Sequence, residues 1–318
     1  MPAAISIPQR LDRIVRAREG ESGAAWLAAL PSVTDEYLDR WELTAERVSE
    51  PGGRASLVVY VRRADGSPAA LKVGLATPET AQEHAALAHW GGRGAVRLLD
   101  ADTTPDHAVL LLERLHGDIS LRSLPEAKAM LEAAGLLQRL WVAPAPGHPF
   151  DSVSEHVRAL HGVLQTRRAL PAVAAVDALP LVDEALETTA GLLASAPAPG
   201  PDQPDHPDHV LLHGDFHHGN VLAADRMPWL AIDPRPLVGE RAWDLAWLAR
   251  DRMETLLGSP GPEAAVRRRL HRLADSLEVD RARLRGWTLF RTVETGVRSL
   301  DAGDTGAAEL WLEFASRL

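Results

Sequence analysis

The ten residues LLHGDFHHGN, 211 to 220, place an aspartate, an asparagine and three histidines in a stretch punctuated by Gly214 and Gly219. A second aspartate, Asp233 in LAIDPRP, follows thirteen residues after Asn220. Asp215, Asn220 and Asp233 all carry hard oxygen donors, and such donors on short loops suit a cation such as magnesium. An aspartate spared from the metal is placed to accept a proton from a hydroxyl. Base, metal ligand, metal ligand is the layout of a phosphoryl-transfer site. Two other readings compete. A polar loop between two strands needs no chemistry at all. A zinc site is the other, because His213 and His217 are four apart, with His206, His209 and His218 nearby. Such a pair holds zinc when it lies on a helix, often with a glutamate between. Here Gly214 and Gly219 break any helix, so the histidines read as loop and packing residues.

Lys72 raises a separate question. Of 34 lysines and arginines, the only lysines are Lys72 and Lys128. Lys128 lies in PEAKAMLEAAG, an ordinary amphipathic helix. Lys72 lies in AALKVG, an apolar run in which an unpaired charge is costly. Glu83 shares a helical stripe with Leu87 and Trp90, which should face a sheet, and it is the natural partner for Lys72. Glu79 is the rival, although an acid in a first helical turn also suits the helix dipole. An ammonium held this way would point at nucleotide phosphates. A snorkelling lysine on an edge strand is the plainer alternative. Gly52 and Gly53, in SEPGGRAS, would let backbone approach a phosphate closely, as would any paired turn glycines. No G-x-x-x-x-G-K-[ST] is present, which excludes a P-loop enzyme. Asp244, in RAWDLAWL, is a carboxylate among tryptophans and leucines. It is expected to accept hydrogen bonds from nearby backbone, with the 213 to 220 loop as one candidate and an exposed face as the other.

The elements around these residues follow from periodicity. Helices are expected over 22 to 43. RASLVVYVRR (54 to 63) and AALKVG (69 to 74) read as a hairpin around ADGSP. ATPETAQEHAALAHWGG is a helix with Thr77 as N-cap, Pro78 at its first position and Gly91-Gly92 as its stop. AVRLLDAD (95 to 102) and HAVLLLERL (107 to 115) are further strands. From about 120 the chain reads as amphipathic helices, with a Pro- and Asp-rich loop over 197 to 209. HVLLHGD and WLAIDPRP are short strands, and ERAWDLAWLARDRMETLL is a single helix. The fold class is therefore α+β. An N-lobe over 1–115 has helices followed by a small antiparallel sheet with one inserted helix. A connector near Glu113 to Gly117 leads to a mainly helical C-lobe over 116–318, and a ligand cleft is expected with two such lobes.

Composition sets bounds. At 318 residues and 46% hydrophobic, the chain can build two sizeable cores. It has no cysteine, so thiolate metal sites are excluded. No apolar run approaches the roughly 18 residues of a membrane span. The N-terminus lacks the apolar core of a signal peptide, so a soluble cytoplasmic protein is expected. A net charge of -10 argues against nucleic acid as a partner. It is compatible with a cationic ligand and equally with ordinary solubility.

Taken together, Lys72, Glu83, HGDFHHGN, Asp233 and the WDL helix resemble the aminoglycoside phosphotransferase superfamily, whose fold is bilobal and protein-kinase-like. EHAALAHWGGRGAVRLL, with its WxGxGAVRLL core, resembles more narrowly the aminoglycoside/hydroxyurea antibiotic resistance kinases, the group that contains streptomycin 6-kinases. The resemblance spans roughly residues 20 to 315. It implies an ATP- and Mg²⁺-dependent transfer to a hydroxyl of a small cationic acceptor, an aminoglycoside of the streptomycin type, conferring antibiotic resistance. Hydroxyurea and sugar or amino-sugar metabolites are the alternative acceptors, and a non-catalytic nucleotide-binding protein or a zinc hydrolase the alternative classes. It also implies roles. Asp215 would be the base, with Asn220 and Asp233 as magnesium ligands. Lys72, held by Glu83, would contact the α- and β-phosphates. Leu112, Glu113, Arg114 and Leu115 would give backbone groups to the adenine. His213, Gly214 and Asp244 would support the loop. The pattern departs from the kinase form at Asp233, which is followed by Pro234 and Arg235 rather than Phe and Gly.

Overall fold

The computed structural model describes residues 5–195 and 209–318; of the 197 to 209 stretch read as a loop, only His209 falls within them. In chain order the first elements are α1 (Gln9–Arg40), β1 (Thr44–Val48), β2 (Ser56–Arg62), β3 (Pro68–Leu75), α2 (Pro78–Trp90), β4 (Leu98–Thr103), β5 (His107–Glu113) and β6 (His116–Ser120). Next come α3 (Glu126–Leu140), α4 (Val153–Arg167), α5 (Pro171–Ala175), α6 (Leu179–Ala194), β7 (Val210–Leu212), β8 (Val221–Ala223), β9 (Trp229–Ala231) and β10 (Leu237–Gly239). The last are α7 (Arg241–Arg250), α8 (Met253–Leu257), α9 (Pro262–Leu277), α10 (Arg281–Asp301) and α11 (Thr305–Ala315). Two compact units result. One comprises residues 1–120 and 222–233, the other 121–221 and 234–318.

The first unit is built on a five-stranded antiparallel sheet of order β1-β2-β3-β5-β4. Strand alternation divides its residues between two faces. Leu57, Val59, Val61, Ala69, Leu71, Val73, Val109 and Leu111 form one core with Trp26, Leu27, Leu30 and Tyr37 of α1. Each such large apolar side chain contributes about 1.5–3 kcal/mol when fully buried. Helix α1 begins earlier than periodicity suggests, at Gln9, and Gly20 (φ 59, ψ -131) is non-helical, so a kink there divides it into two helical stretches. On β3, Lys72 pairs in register with Val58 and Leu110, so it shares their face. Because β3 is the central strand, the edge-strand reading of Lys72 is excluded. Helix α2 starts as expected. Thr77 and Thr80 cap each other reciprocally, Pro78 takes the first turn, and Gly91 closes the helix at φ 55.

Two boundaries in this unit differ from the sequence reading. Strand β4 starts at Leu98 rather than 95, because Ala95 bridges to Ala231 and Val96 N–H donates to Ala231 O at 2.9 Å. Strand β6 was not expected. It joins β8 and β9 in a three-stranded sheet.

The second unit is mainly helical. Helix α10 is its spine, burying Leu284, Trp287, Phe290, Val293 and Val297 among α6, α7 and α11. Strands β7 and β10 pair antiparallel, Leu211 opposite Val238, and thereby anchor the segments 213–221 and 234–236 of this unit. The expected single helix over 240 to 257 is broken. Asp251 is extended (ψ 139) and Arg252 left-handed (φ 54). Arg252 sends its guanidinium to Leu121 O at 2.7 Å and Leu124 O at 3.0 Å, contacts a continuous helix would forbid.

Candidate active site

In the first unit, Lys72 is the hub. Its Nζ lies 2.6 Å from Glu83 Oε1 and 2.7 Å from Asp233 Oδ1. Lys72 and Glu83 are buried, while the Asp233 side chain is 55% exposed. Burial alone would lower the Lys72 pKa. The carboxylates of Asp233 and Glu83 outweigh it and hold the ammonium above its ordinary value, so it stays charged. Asp233 has φ 53, a left-handed conformation that costs a non-glycine residue about 1–3 kcal/mol. Aspartate tolerates this region better than most residues do.

In the second unit, the loop after β7 is held by its backbone. Gly214 needs φ 77, and a Cβ there would run into Arg235 O. Asp244 is fully buried on α7 and accepts the N–H groups of His213 at 2.8 Å and Gly214 at 2.7 Å. Trp141 Nε1 donates to the same carboxylate at 3.2 Å. The loop then turns back on itself. Asp215 N–H donates to His213 Nδ1 at 3.3 Å, and Asn220 Nδ2 donates to Asp215 O at 3.0 Å. This bond uses the Asn220 amide nitrogen and not its oxygen. The Asp215 carboxylate is 21% exposed, and Arg235 Nε is 3.8 Å from it. Replacing Asp244 by Ala would orphan two buried N–H groups at about 1–3 kcal/mol each. Denaturant unfolding of the variant should show a loss of about 2–6 kcal/mol; a loss under about 1 kcal/mol would contradict this assignment.

The three histidines serve the loop itself. His213 is buried and packs edge-on against Phe216 at 5.4 Å. His217 accepts the Gly219 N–H at 3.0 Å, capping the short turn His218–Asn220. Its burial lowers its pKa. Among the described residues no three of His, Cys, Asp and Glu are grouped to hold a metal; His206 lies outside them. The oxygen donors of Asn220 and Asp233 suit magnesium chemically.

Sequence reasoning missed several supports. Asp251 accepts the His218 N–H at 2.7 Å, and His218 Nδ1 lies 2.7 Å from the same oxygen. Burial would raise the Asp251 pKa, but the hydrogen bond and charge of His218 hold it well below the usual carboxylate range. Arg291, buried on α10, donates to Gly214 O at 3.1 Å and Trp243 O at 2.9 Å. Its guanidinium lies 4.0 Å from the centre of the Trp243 ring. Gly214 is thus gripped by Asp244 at its N–H and by Arg291 at its carbonyl. A polar residue on the buried stripe Leu284, Trp287, Arg291 was the available signal.

The nucleotide-facing candidates stand differently. Gly52 has φ 84, and a Cβ on it would meet Pro8 at 2.6 Å; one on Gly53 would meet Ser56 O at 2.8 Å. Contacts within the chain therefore already require both glycines. The Glu113 side chain is engaged by Arg226 at 2.9 Å and by the Arg97 N–H at 3.1 Å. The Glu113 side chain is thus occupied within the chain.

Residues 40–303 match the family described as aminoglycoside/hydroxyurea antibiotic resistance kinase. The chain is 40% identical over 301 residues to a streptomycin 6-kinase of Streptomyces glaucescens, covering 94% of this chain and 92% of that protein. It is 38% identical over 318 residues to a streptomycin 6-kinase of Streptomyces griseus, covering 99% and 97%. Among solved structures, an amicoumacin kinase in complex with AMP-PNP, Ca²⁺ and its ligand aligns with a TM-score of 0.56 at 13% identity, covering 95% of each chain. That likeness establishes the α+β, protein-kinase-like fold. The sequence relationship establishes more: the chain belongs to the aminoglycoside/hydroxyurea antibiotic resistance kinases and is a phosphotransferase acting on a hydroxyl group.

Proposed function

We propose that the protein is an ATP- and Mg²⁺-dependent O-phosphotransferase whose acceptor is an aminoglycoside of the streptomycin type. The observation that carries this is identity of 38% and 40% to two streptomycin 6-kinases over nearly the whole chain. The joined Lys72, Glu83 and Asp233 set and the braced Asp215 loop supply the groups such chemistry requires. In this reading residues 1–115 serve mainly the nucleotide, and residues 116–318 carry the catalytic loop and the acceptor site. The enzyme works in the cytoplasm, where ATP is available. Among the described residues no helix is long and apolar enough to cross a membrane.

Each residue then has a task. Lys72, kept charged by its two carboxylates, contacts the α- and β-phosphates. Asp215 orients the acceptor hydroxyl and receives its proton as the hydroxyl oxygen bonds to the γ-phosphorus and the bond to the bridging oxygen of ADP breaks. Asn220 and Asp233 would hold Mg²⁺, which supplies neutralisation of the phosphate charge. Most of the acceleration is positioning and preset charge. A chain of net charge -10 favours approach of a guanidinium-bearing cation.

The test is an ATP-consumption assay against streptomycin, other aminoglycosides, hydroxyurea and amino sugars. Turnover should appear with streptomycin, vanish with a chelator and return with excess Mg²⁺. Turnover with hydroxyurea alone, which the family's description also names, would replace the acceptor while keeping the kinase. Turnover indifferent to the chelator would remove Mg²⁺ from the account.

A further inference from the structure

Arg226 lies between β8 and β9, and it makes four hydrogen bonds that the roles above do not use. Its Nε donates to Glu113 Oε1 at 3.1 Å and its Nη2 to Glu113 Oε2 at 2.9 Å, a bidentate grip on the carboxylate. Its Nη1 donates to Gly92 O at 2.8 Å, and Nη2 also reaches Ala95 O at 3.3 Å. The WxGxGAVRLL stretch therefore wraps the guanidinium. Gly92 has φ 85, and a Cβ on it would come within 3.3 Å of Arg226 Nη2. The same stretch is fastened to the neighbouring elements. Ala231 N–H donates to Gly94 O at 2.9 Å, and Glu113 and Arg97 exchange bonds, Glu113 N–H to Arg97 O at 2.9 Å and Arg97 N–H to Glu113 Oε2 at 3.1 Å. The side chains of Arg226 and Glu113 are 26% and 19% exposed, enough shielding for a paired geometry to hold.

We propose that Arg226 is a positioning residue for the nucleotide. By holding the Glu113 carboxylate and two carbonyls at once, it sets the Glu113 to Leu115 backbone that receives the adenine, and the Gly92 to Arg97 stretch serves to seat it. This rests on the reading of the protein as an ATP-dependent kinase. A lysine cannot replace Arg226, because a single ammonium cannot span a carboxylate and two carbonyls at once. The effect falls on nucleotide affinity rather than on proton transfer, since none of the four bonds reaches Asp215 or its loop.

The experiment measures binding of Mg²⁺·AMP-PNP by calorimetry, and KM and kcat with ATP and streptomycin, in wild type, Arg226→Ala, Arg226→Lys and Glu113→Gln. Losing charge-assisted bonds should weaken Mg²⁺·AMP-PNP binding and raise KM for ATP about tenfold or more in Arg226→Ala. KM for streptomycin and kcat should stay near wild type. Arg226→Lys should not rescue, and Glu113→Gln should shift the same way by less. Unchanged nucleotide binding in a folded Arg226→Ala overturns the proposal. So does an equal rise in both KM values. If Arg226→Ala does not fold, wild-type nucleotide binding by both Arg226→Lys and Glu113→Gln overturns it. A wild-type protein that fails to bind Mg²⁺·AMP-PNP overturns the kinase reading itself, and this proposal with it.

Discussion

Asp215→Asn lowers kcat about 10²–10⁴-fold while the protein still folds and still binds nucleotide. The substitution removes the group proposed to receive the hydroxyl proton and keeps its shape. The contacts that set the loop at this position use backbone groups, the Asp215 N–H to His213 and the Asp215 carbonyl from Asn220, so they survive. The carboxylate is partly exposed and its ion pair with Arg235 is long, at 3.8 Å, so stability should change by no more than about 1 kcal/mol. Steady-state kinetics with a thermal melt separates the two effects. Loss of activity together with loss of the fold would assign Asp215 a structural task instead.

Lys72→Met is expected to damage both activity and stability. The neutral side chain fills similar space but leaves Glu83, only 6% exposed, without its cation at 2.6 Å. Removing one partner of a buried pair costs about 3–5 kcal/mol. It also removes the positive charge proposed to contact the phosphates, and loss of one preset donor costs about 10²–10³ in kcat. Lys72→Arg should not rescue, because a planar guanidinium cannot take the place of an ammonium held at 2.6 and 2.7 Å by two carboxylates. The double variant Lys72→Met, Glu83→Gln discriminates the causes. It should recover stability in denaturant unfolding yet remain inactive. Recovery of activity would show that Lys72 only balances Glu83.

What could be read in the chain divides along physical lines. Lys72 was conspicuous because a charge in an apolar strand demands a partner, and Glu83 was the acid on the facing stripe. The α2 boundaries were legible because Thr77, Pro78 and Gly91 act locally. The kinase family was legible because its motif residues are few and ordered. Other features were silent because their causes lie far off in sequence. Arg291 reaches Gly214 from 77 residues away, and Arg226 reaches Glu113 from 113. The helix break at Asp251 and Arg252 follows from their bonds to His218, Leu121 and Leu124, which periodicity over 240 to 257 cannot register. Strand β4 started late because Ala95 and Val96 bond to Ala231, although their apolar character reads as strand. The packing of Pro8 against Gly52 is silent for the same reason, because 44 residues separate them.

The central claim is that Asp215 serves transfer of a phosphoryl group from ATP to a hydroxyl of a streptomycin-type aminoglycoside. The direct measurement incubates γ-labelled ATP, Mg²⁺ and streptomycin with wild type and with Asp215→Asn and follows the label. Wild type should place the label on streptomycin, and the folded variant should leave it on ATP. Equal labelling by both proteins, or labelled streptomycin from neither, would contradict the claim.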